Sequence, residues 1–249
     1  MTRRSAFTEV QAAYGRAEHD EVLRLTGAIL AERPGDDAAH ELRARSLLAM
    51  GRAEEAEREV ADAVRLDPDE VRYRELLAEI LEARGAHRDA AVEYGALARS
   101  MPAQAHWTVS EARERLGAAQ PEMGVDAARR ALRLDPADPA AHLALARGLV
   151  RTGDAAGAVR AAARSAELNP GAPESREVLA DARWLAGDRR AALAEFAALA
   201  GEVSESDRSR ITRKARSLYR QHAGWAGRAL LGIPGLFTLA LRRGWLHAR

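Results

Sequence analysis

Seven histidines, His19, His40, His87, His106, His142, His222 and His247, are the chain's candidates for metal ligation or proton transfer. None stands in the i, i+4 pairing with an attendant glutamate that would set two imidazoles and a general base on one helical face around zinc, so they are expected at the surface. Cysteine is absent, which removes thiolate ligands, disulfides and a thiol nucleophile together. Lys214 is the sole lysine, so amine-based covalent chemistry has almost nowhere to reside. Carboxylate pairs such as Glu54 and Glu55 stand on charged stretches among arginines, with no sheltered place for acid–base work. There is no glycine-rich phosphate loop, no nucleophile elbow and no Ser/His/Asp grouping. The reading is a protein without catalytic chemistry of its own, needing neither cofactor nor metal.

The elements behind these residues are legible in a period. Of the 249 residues 47% are hydrophobic, as in a folded soluble protein, but only 4% are aromatic while alanine is abundant. Such a core is built from closely approaching helices rather than large rings. Pro34, Pro68, Pro102, Pro136 and Pro170 recur every 34 residues, three of them closing nearly the same phrase: Arg65 to Pro68, Arg133 to Pro136 and Glu167 to Pro170. Proline cannot continue a helix and disfavours helical geometry in the residue before it, so each marks a helix end and a turn. Midway stand Gly51, Gly85, Gly153 and Gly187, in the same 34-residue register with one gap. Glycine there supplies a left-handed C-cap, giving helix, turn, helix in each block.

This pattern resembles the tetratricopeptide repeat family, with small residues where paired helices touch, glycine at the inner turn and proline near the end. The repeats run 3–36, 37–70, 71–104, 105–138, 139–172 and 173–206. The small residue at the eighth place is Ala44, Ala78, Ala112, Ala146 and Ala180; at the twentieth it is Ala56, Ala90, Gly124, Ala158 and Ala192. The resemblance covers about four-fifths of the chain. It implies an all-α, right-handed superhelical solenoid of about six helix-turn-helix repeats with a C-terminal capping helix and a short apolar tail. The strict 34-residue spacing argues against other helical repeats of the Sel1 or HEAT type and against an isolated bundle. Departures carry information too. The first block has Val10 and Val22 at the two small places and no turn glycine, as in an atypical N-terminal capping repeat. In the fourth, Gly117 to Pro121 replaces the turn, which predicts an altered helix pair. The sixth has Ser204 in place of its closing proline.

In this family the first helices line a concave groove. Carried over, the resemblance puts Glu41, Arg45, Glu75, Glu79, Arg113, Arg147, Asp181 and Trp184 on its wall and floor, as a partner-binding face of mixed charge. The asparagines and lysines with which some co-chaperones of this family hold a chaperone's terminal carboxylate do not occur at these places. A peptide or helix of another protein is therefore the expected occupant.

Beyond residue 204 the sequence changes character. Ser206 is expected to cap a helix over 207–222 whose apolar face, Ile211, Ala215, Leu218 and His222, covers the last repeat. Residues 205–249 hold ten basic residues against Glu205 and Asp207, a net of +8, whereas the whole chain carries +1 and the remainder therefore −7. The tail, 223–249, is uncharged from Ala229 to Leu241. That stretch makes about 20 Å of helix, too short for a hydrocarbon core of about 30 Å, and Gly232 to Gly235 interrupts it. Trp225, Leu230, Leu231, Phe237, Leu241, Arg242, Arg243 and Trp245 instead suit an interfacial segment on an anionic membrane, a contact with a partner protein, or a fold back onto the groove. Nucleic acid is disfavoured, because the uncharged run does not suit a phosphate-tracking face. The arginine-rich composition points to a bacterial source. Without an apolar run behind Arg3 and Arg4 no export is expected, which places the protein in the cytoplasm, at most peripheral at the inner membrane face. The functional expectation is an interaction scaffold or adaptor, the alternative a non-catalytic accessory subunit of a multiprotein enzyme complex.

Overall fold

The computed structural model describes residues 3–222, with side chains over 7–220. Among these residues there are thirteen helices: α1 (Arg3–Gly15), α2 (His19–Glu32), α3 (Asp37–Ala49), α4 (Ala53–Leu66), α5 (Val71–Ala83), α6 (His87–Ser100), α7 (Ala105–Gly117), α8 (Pro121–Leu134), α9 (Pro139–Thr152), α10 (Ala155–Leu168), α11 (Pro173–Leu185), α12 (Arg189–Glu202) and α13 (Glu205–His222). The odd-numbered helices α1 to α11 start every 34 residues, and so do the even-numbered ones. The protein is all-α and built of helix-turn-helix repeats. It divides into two compact units, the first ending at Ala119 and the second starting at Gln120, inside the turn of the fourth repeat.

Within each unit every helix packs on the next: α1 through α7 in the first, α8 through α13 in the second. Close approach is possible because the facing residues are small. Ala44, Ala78, Ala112, Ala146 and Ala180 are fully buried, as are Ala56, Ala90, Ala158 and Ala192. In the first repeat the fully buried Val10 and Val22 take the two small places. The N-terminal cluster closes around them with Ala13, Ile29 and Ala39. Larger side chains fill the layers between alanines, with Leu47, Leu76 and Ile80 in one cluster of the first unit and Phe196 and Leu199 in the second unit. Among the described residues no helix is long and apolar enough to cross a membrane.

The inner turns keep one geometry throughout, whatever the residue. Gly51, Gly85, Gly153 and Gly187 have φ of 74°, 71°, 87° and 85°, and the two places without glycine are filled by Ala17 and Ala119 at φ 56° and 58°. At 117–121 α7 ends and α8 begins in the 34-residue register, and Ala119 accepts the left-handed conformation at a cost of about 1–2 kcal/mol.

Polar contacts tie the outer turns. The side chain at the fourth place of a repeat reaches the carbonyl of the preceding proline: His40 to Pro34 (3.1 Å), Arg74 to Pro68 (3.1 Å) and His142 to Pro136 (3.0 Å). His40 also meets Glu59 across the helix pair at 2.8 Å. Two oxygen acceptors therefore flank its ring. The expectation that all histidines lie at the surface fails here, since His40 is buried: a carboxylate and a carbonyl satisfy its nitrogens, so the imidazole need not face water.

The last connection is shorter than the others. Each earlier first helix begins five residues after the preceding second helix ends, but α13 begins three residues after α12. Ser204, standing where the closing proline would be, is the N-cap: its hydroxyl accepts from Asp207 N (3.3 Å) and its carbonyl from Arg208 N (2.8 Å). The cap is therefore Ser204 rather than Ser206, because without a proline the chain can turn directly into the next helix. α13 buries Ile211, Ala215 and Tyr219 against Phe196, Leu199 and Trp184, with Leu218 half-buried beside them.

Candidate functional site

In the first unit α3, α5 and α7 present the side chains expected on the binding face, and most of those side chains are engaged with one another. The carboxylate of Glu41, on α3, is buried and accepts from Arg45 Nε (3.0 Å) on the next turn and from Arg72 Nη1 (3.3 Å) on α5. Glu75, on α5, accepts from the indole Nε1 of the buried Trp107 on α7 (3.4 Å). Arg113, on α7, donates to Glu82 on α5 (2.6 Å) and to Glu114 beside it (3.1 Å). Neighbouring first helices are thus stitched by Arg72, Trp107 and Glu82, none of which was chosen from sequence. Arg72 and Glu82 occupy the second and twelfth places of their repeat, so the register alone could have found them.

Glu79 stands apart. It lies on α5 between Glu75 and Glu82, is exposed, and makes no hydrogen bond or ion pair with a described residue. Partial enclosure by the surrounding helices raises its carboxyl above the ordinary value; Glu75 and Glu82 push in the same direction and Arg45 opposes them. The face at this point is short of a cation.

The second unit treats the equivalent places differently. Glu177 and Asp181, on α11, stand 102 residues, or three periods, after Glu75 and Glu79. Both are answered from α13. Arg210 Nη1 reaches both oxygens of Glu177 at 2.9 and 2.7 Å, and Lys214 Nζ donates to Glu177 (2.8 Å) and Asp181 (2.5 Å). Burial works against the charge on Glu177, but the hydrogen bonds from Lys214 and Arg210 outweigh it and hold the carboxyl below its ordinary value. At Asp181 burial prevails over Lys214 and the carboxyl is raised. Trp184, expected on the groove floor, is instead packed in the core cluster with Phe196 and Tyr219, because α13 covers that side of α11. Arg147, on α9, is exposed and has no ion pair with a described residue.

Of the eight side chains, then, Glu41, Arg45, Glu75, Arg113 and Asp181 are tied into contacts, Trp184 is core, and Glu79 and Arg147 are open. Trp225, Leu230, Leu231, Phe237, Leu241, Arg242, Arg243 and Trp245, the expected tail contacts, lie outside the described residues. Among the described residues no group of three or more His, Asp or Glu side chains could hold a metal ion.

Residues 13–80 match the model of the tetratricopeptide repeat. The same helix pairing continues through both units. Over residues 13–80 the chain resembles the tetratricopeptide repeat in sequence, and its helix-turn-helix fold is that of the repeat. Solved structures similar to it share its fold. One, a tetratricopeptide repeat protein from Parabacteroides merdae, has a TM-score of 0.71 at 12% identity and covers 97% of both chains. MamA from Desulfovibrio magneticus has a TM-score of 0.62 at 20% identity, covering 67% of this chain and 94% of its own. YrrB, described as a tetratricopeptide repeat protein with an unusual peptide-binding site, has a TM-score of 0.55 at 16% identity and covers 79% of this chain and 93% of its own. No curated protein matches the chain by sequence.

Proposed function

We propose that this tetratricopeptide-repeat chain is a non-catalytic interaction scaffold whose first helices hold a peptide or helix of a partner protein. The observation that carries the reading is the pair of charges left open among otherwise self-satisfied side chains. Glu79 offers an unanswered anion in the first unit, and Arg147 an unanswered cation in the second. A ligand side chain of opposite sign would meet each with a charge-assisted hydrogen bond, stronger than in open water at the partly enclosed Glu79. The absence of any grouping able to form a nucleophile, a proton relay or a phosphate cradle in the sequence supports a binding role over a catalytic one.

The reading is tested by co-purification of partner proteins with the wild type, with Glu79→Arg, with Arg147→Glu, and with Asp126→Arg. Asp126, on α8, has a side chain 74% exposed and serves as the control. A partner retained by wild type and control but lost by either groove variant supports the proposal. A partner held equally by all four proteins contradicts it.

For the tail over 223–249 we infer contact with an anionic membrane surface, on its composition alone: an uncharged run flanked by Trp225, Trp245, Arg228, Arg242 and Arg243. Such a contact would hold the scaffold peripherally at a membrane without spanning it.

A further inference from the structure

The capping helix α13 carries six cations: Arg208, Arg210, Arg213, Lys214, Arg216 and Arg220. Their duties divide by face. Arg210 and Lys214 are consumed by Glu177 and Asp181, and Arg208 is held by the Ala200 carbonyl (2.8 Å) and by Glu205. Opposite the buried stripe of Ile211, Ala215 and Tyr219 lie Ser209, Arg213, Arg216 and Arg220, since residues three, four and seven apart share a helical face. Arg213 and Arg220 are exposed and make no ion pair with a described residue, while Arg216 is half-buried between them. The carboxylate of α13 in register with that face, Glu205 in the first turn, is already taken by Arg208.

The same bias continues along the chain. From Arg208 to Arg249 there are ten cations and not one Asp or Glu. A covering helix needs an apolar face and gains nothing from exposed cations such as Arg213 and Arg220, whose like charges repel and lower stability rather than raise it. Fixed cations in a row of about 10 Å, leading directly into a segment with a thirteen-residue uncharged run, match a surface that is anionic outside and apolar beneath. Nucleic acid would answer the arginines but not the apolar run. A lipid surface answers both.

We propose that the free face of α13, with Arg213 and Arg220, is a membrane-docking surface that sets the repeats on anionic lipid head groups beside the tail. This rests on the reading of the tail as membrane-associated and extends it to a rigid part of the fold. Each arginine near such a surface strengthens binding about five-fold, so removing two weakens it about 30-fold.

The experiment is flotation of the full chain with vesicles of phosphatidylcholine alone and of phosphatidylcholine with phosphatidylglycerol, repeated with a single-stranded oligonucleotide as competitor. Three proteins are compared: wild type, Arg213→Gln with Arg220→Gln, and Leu230→Asp with Phe237→Asp. Thermal melting checks that the arginine variant keeps its fold, as expected for two exposed residues. The expected result is binding of wild type to phosphatidylglycerol vesicles only, weakened about 30-fold in the arginine variant and weakened by raised salt. If the arginine variant binds as wild type does while the tail variant does not, the tail reading stands and the docking face on α13 is refuted. If wild type binds neither vesicle, both readings fall. If the oligonucleotide displaces the wild type from vesicles and binds it more tightly, the face belongs to nucleic acid and the lipid proposal is overturned.

Discussion

Two helices three periods apart carry the same carboxylates and use them in opposite ways. On α5 the pair is Glu75 and Glu79; on α11 it is Glu177 and Asp181. After α5 comes another repeat, whose α7 offers Trp107 to Glu75 and leaves Glu79 without a partner. After α11 comes the cap, whose Arg210 and Lys214 close over both carboxylates. A charge at a given place in a repeat therefore has no fixed meaning. What the next first helix brings decides whether it is cement or contact surface.

The largest effect that would sharpen this contrast is expected for Lys214→Ala. Removing the ammonium leaves Glu177 with Arg210 alone and Asp181 with no hydrogen-bonded cation in a half-buried setting, and should cost about 2 kcal/mol of stability in urea unfolding. A loss under about 0.5 kcal/mol would mean that the cap is held by its apolar face alone.

The inner turns contrast by residue rather than by unit. The turns at 51, 85, 153 and 187 have glycine in the left-handed region, whereas those at 17 and 119 hold alanine there. Ala17→Gly and Ala119→Gly should each raise stability by about 1 kcal/mol, the reverse of what such a change does inside a helix. Destabilisation by either would show that the conformation costs nothing there.

Acid should separate the carboxylates further. Glu177 is held below its usual 4.5, so its contribution is present above 4.5 and lost as pH falls through the folded value. Glu177→Gln should therefore cost about 1 kcal/mol at pH 7, a cost that fades in acid. Glu79 and Asp181 are raised, so theirs is present below the ordinary values and lost as pH rises through the folded ones. Glu79→Gln should be the smallest change, neutral to slightly stabilising at pH 7 within about 0.5 kcal/mol, with that advantage disappearing toward pH 4. Equilibrium unfolding at both pH values checks the signs.

The sequence made the repeat legible because the repeat is a steric necessity: small residues where helices touch, a left-handed turn, a proline that ends each pair. Those demands are local and recur, so Ala44 and Ala78 could be placed without coordinates. The left-handed turn at Ala119 was not legible because alanine can be forced into a glycine geometry for a modest strain, and Ser204 misled because a cap and a missing proline look alike in a string of letters. The candidate binding face was only partly legible. Its places followed from the register, but the pairing of Glu41 with Arg72 or of Glu177 with Arg210 joins residues 31 and 33 apart through the stacking of helices, which a single repeat does not contain. Trp184 shows the same limit, since the twelfth place is open only where no cap covers it.

The most direct measurement is photo-crosslinking in cells from a benzophenone side chain placed at position 79 or at position 181. The account predicts a crosslink to a partner protein from position 79, where the carboxylate is unanswered, and none from position 181, which Lys214 occupies. Equal crosslinking from both positions, or from 181 alone, would contradict the division between an open and a sealed face.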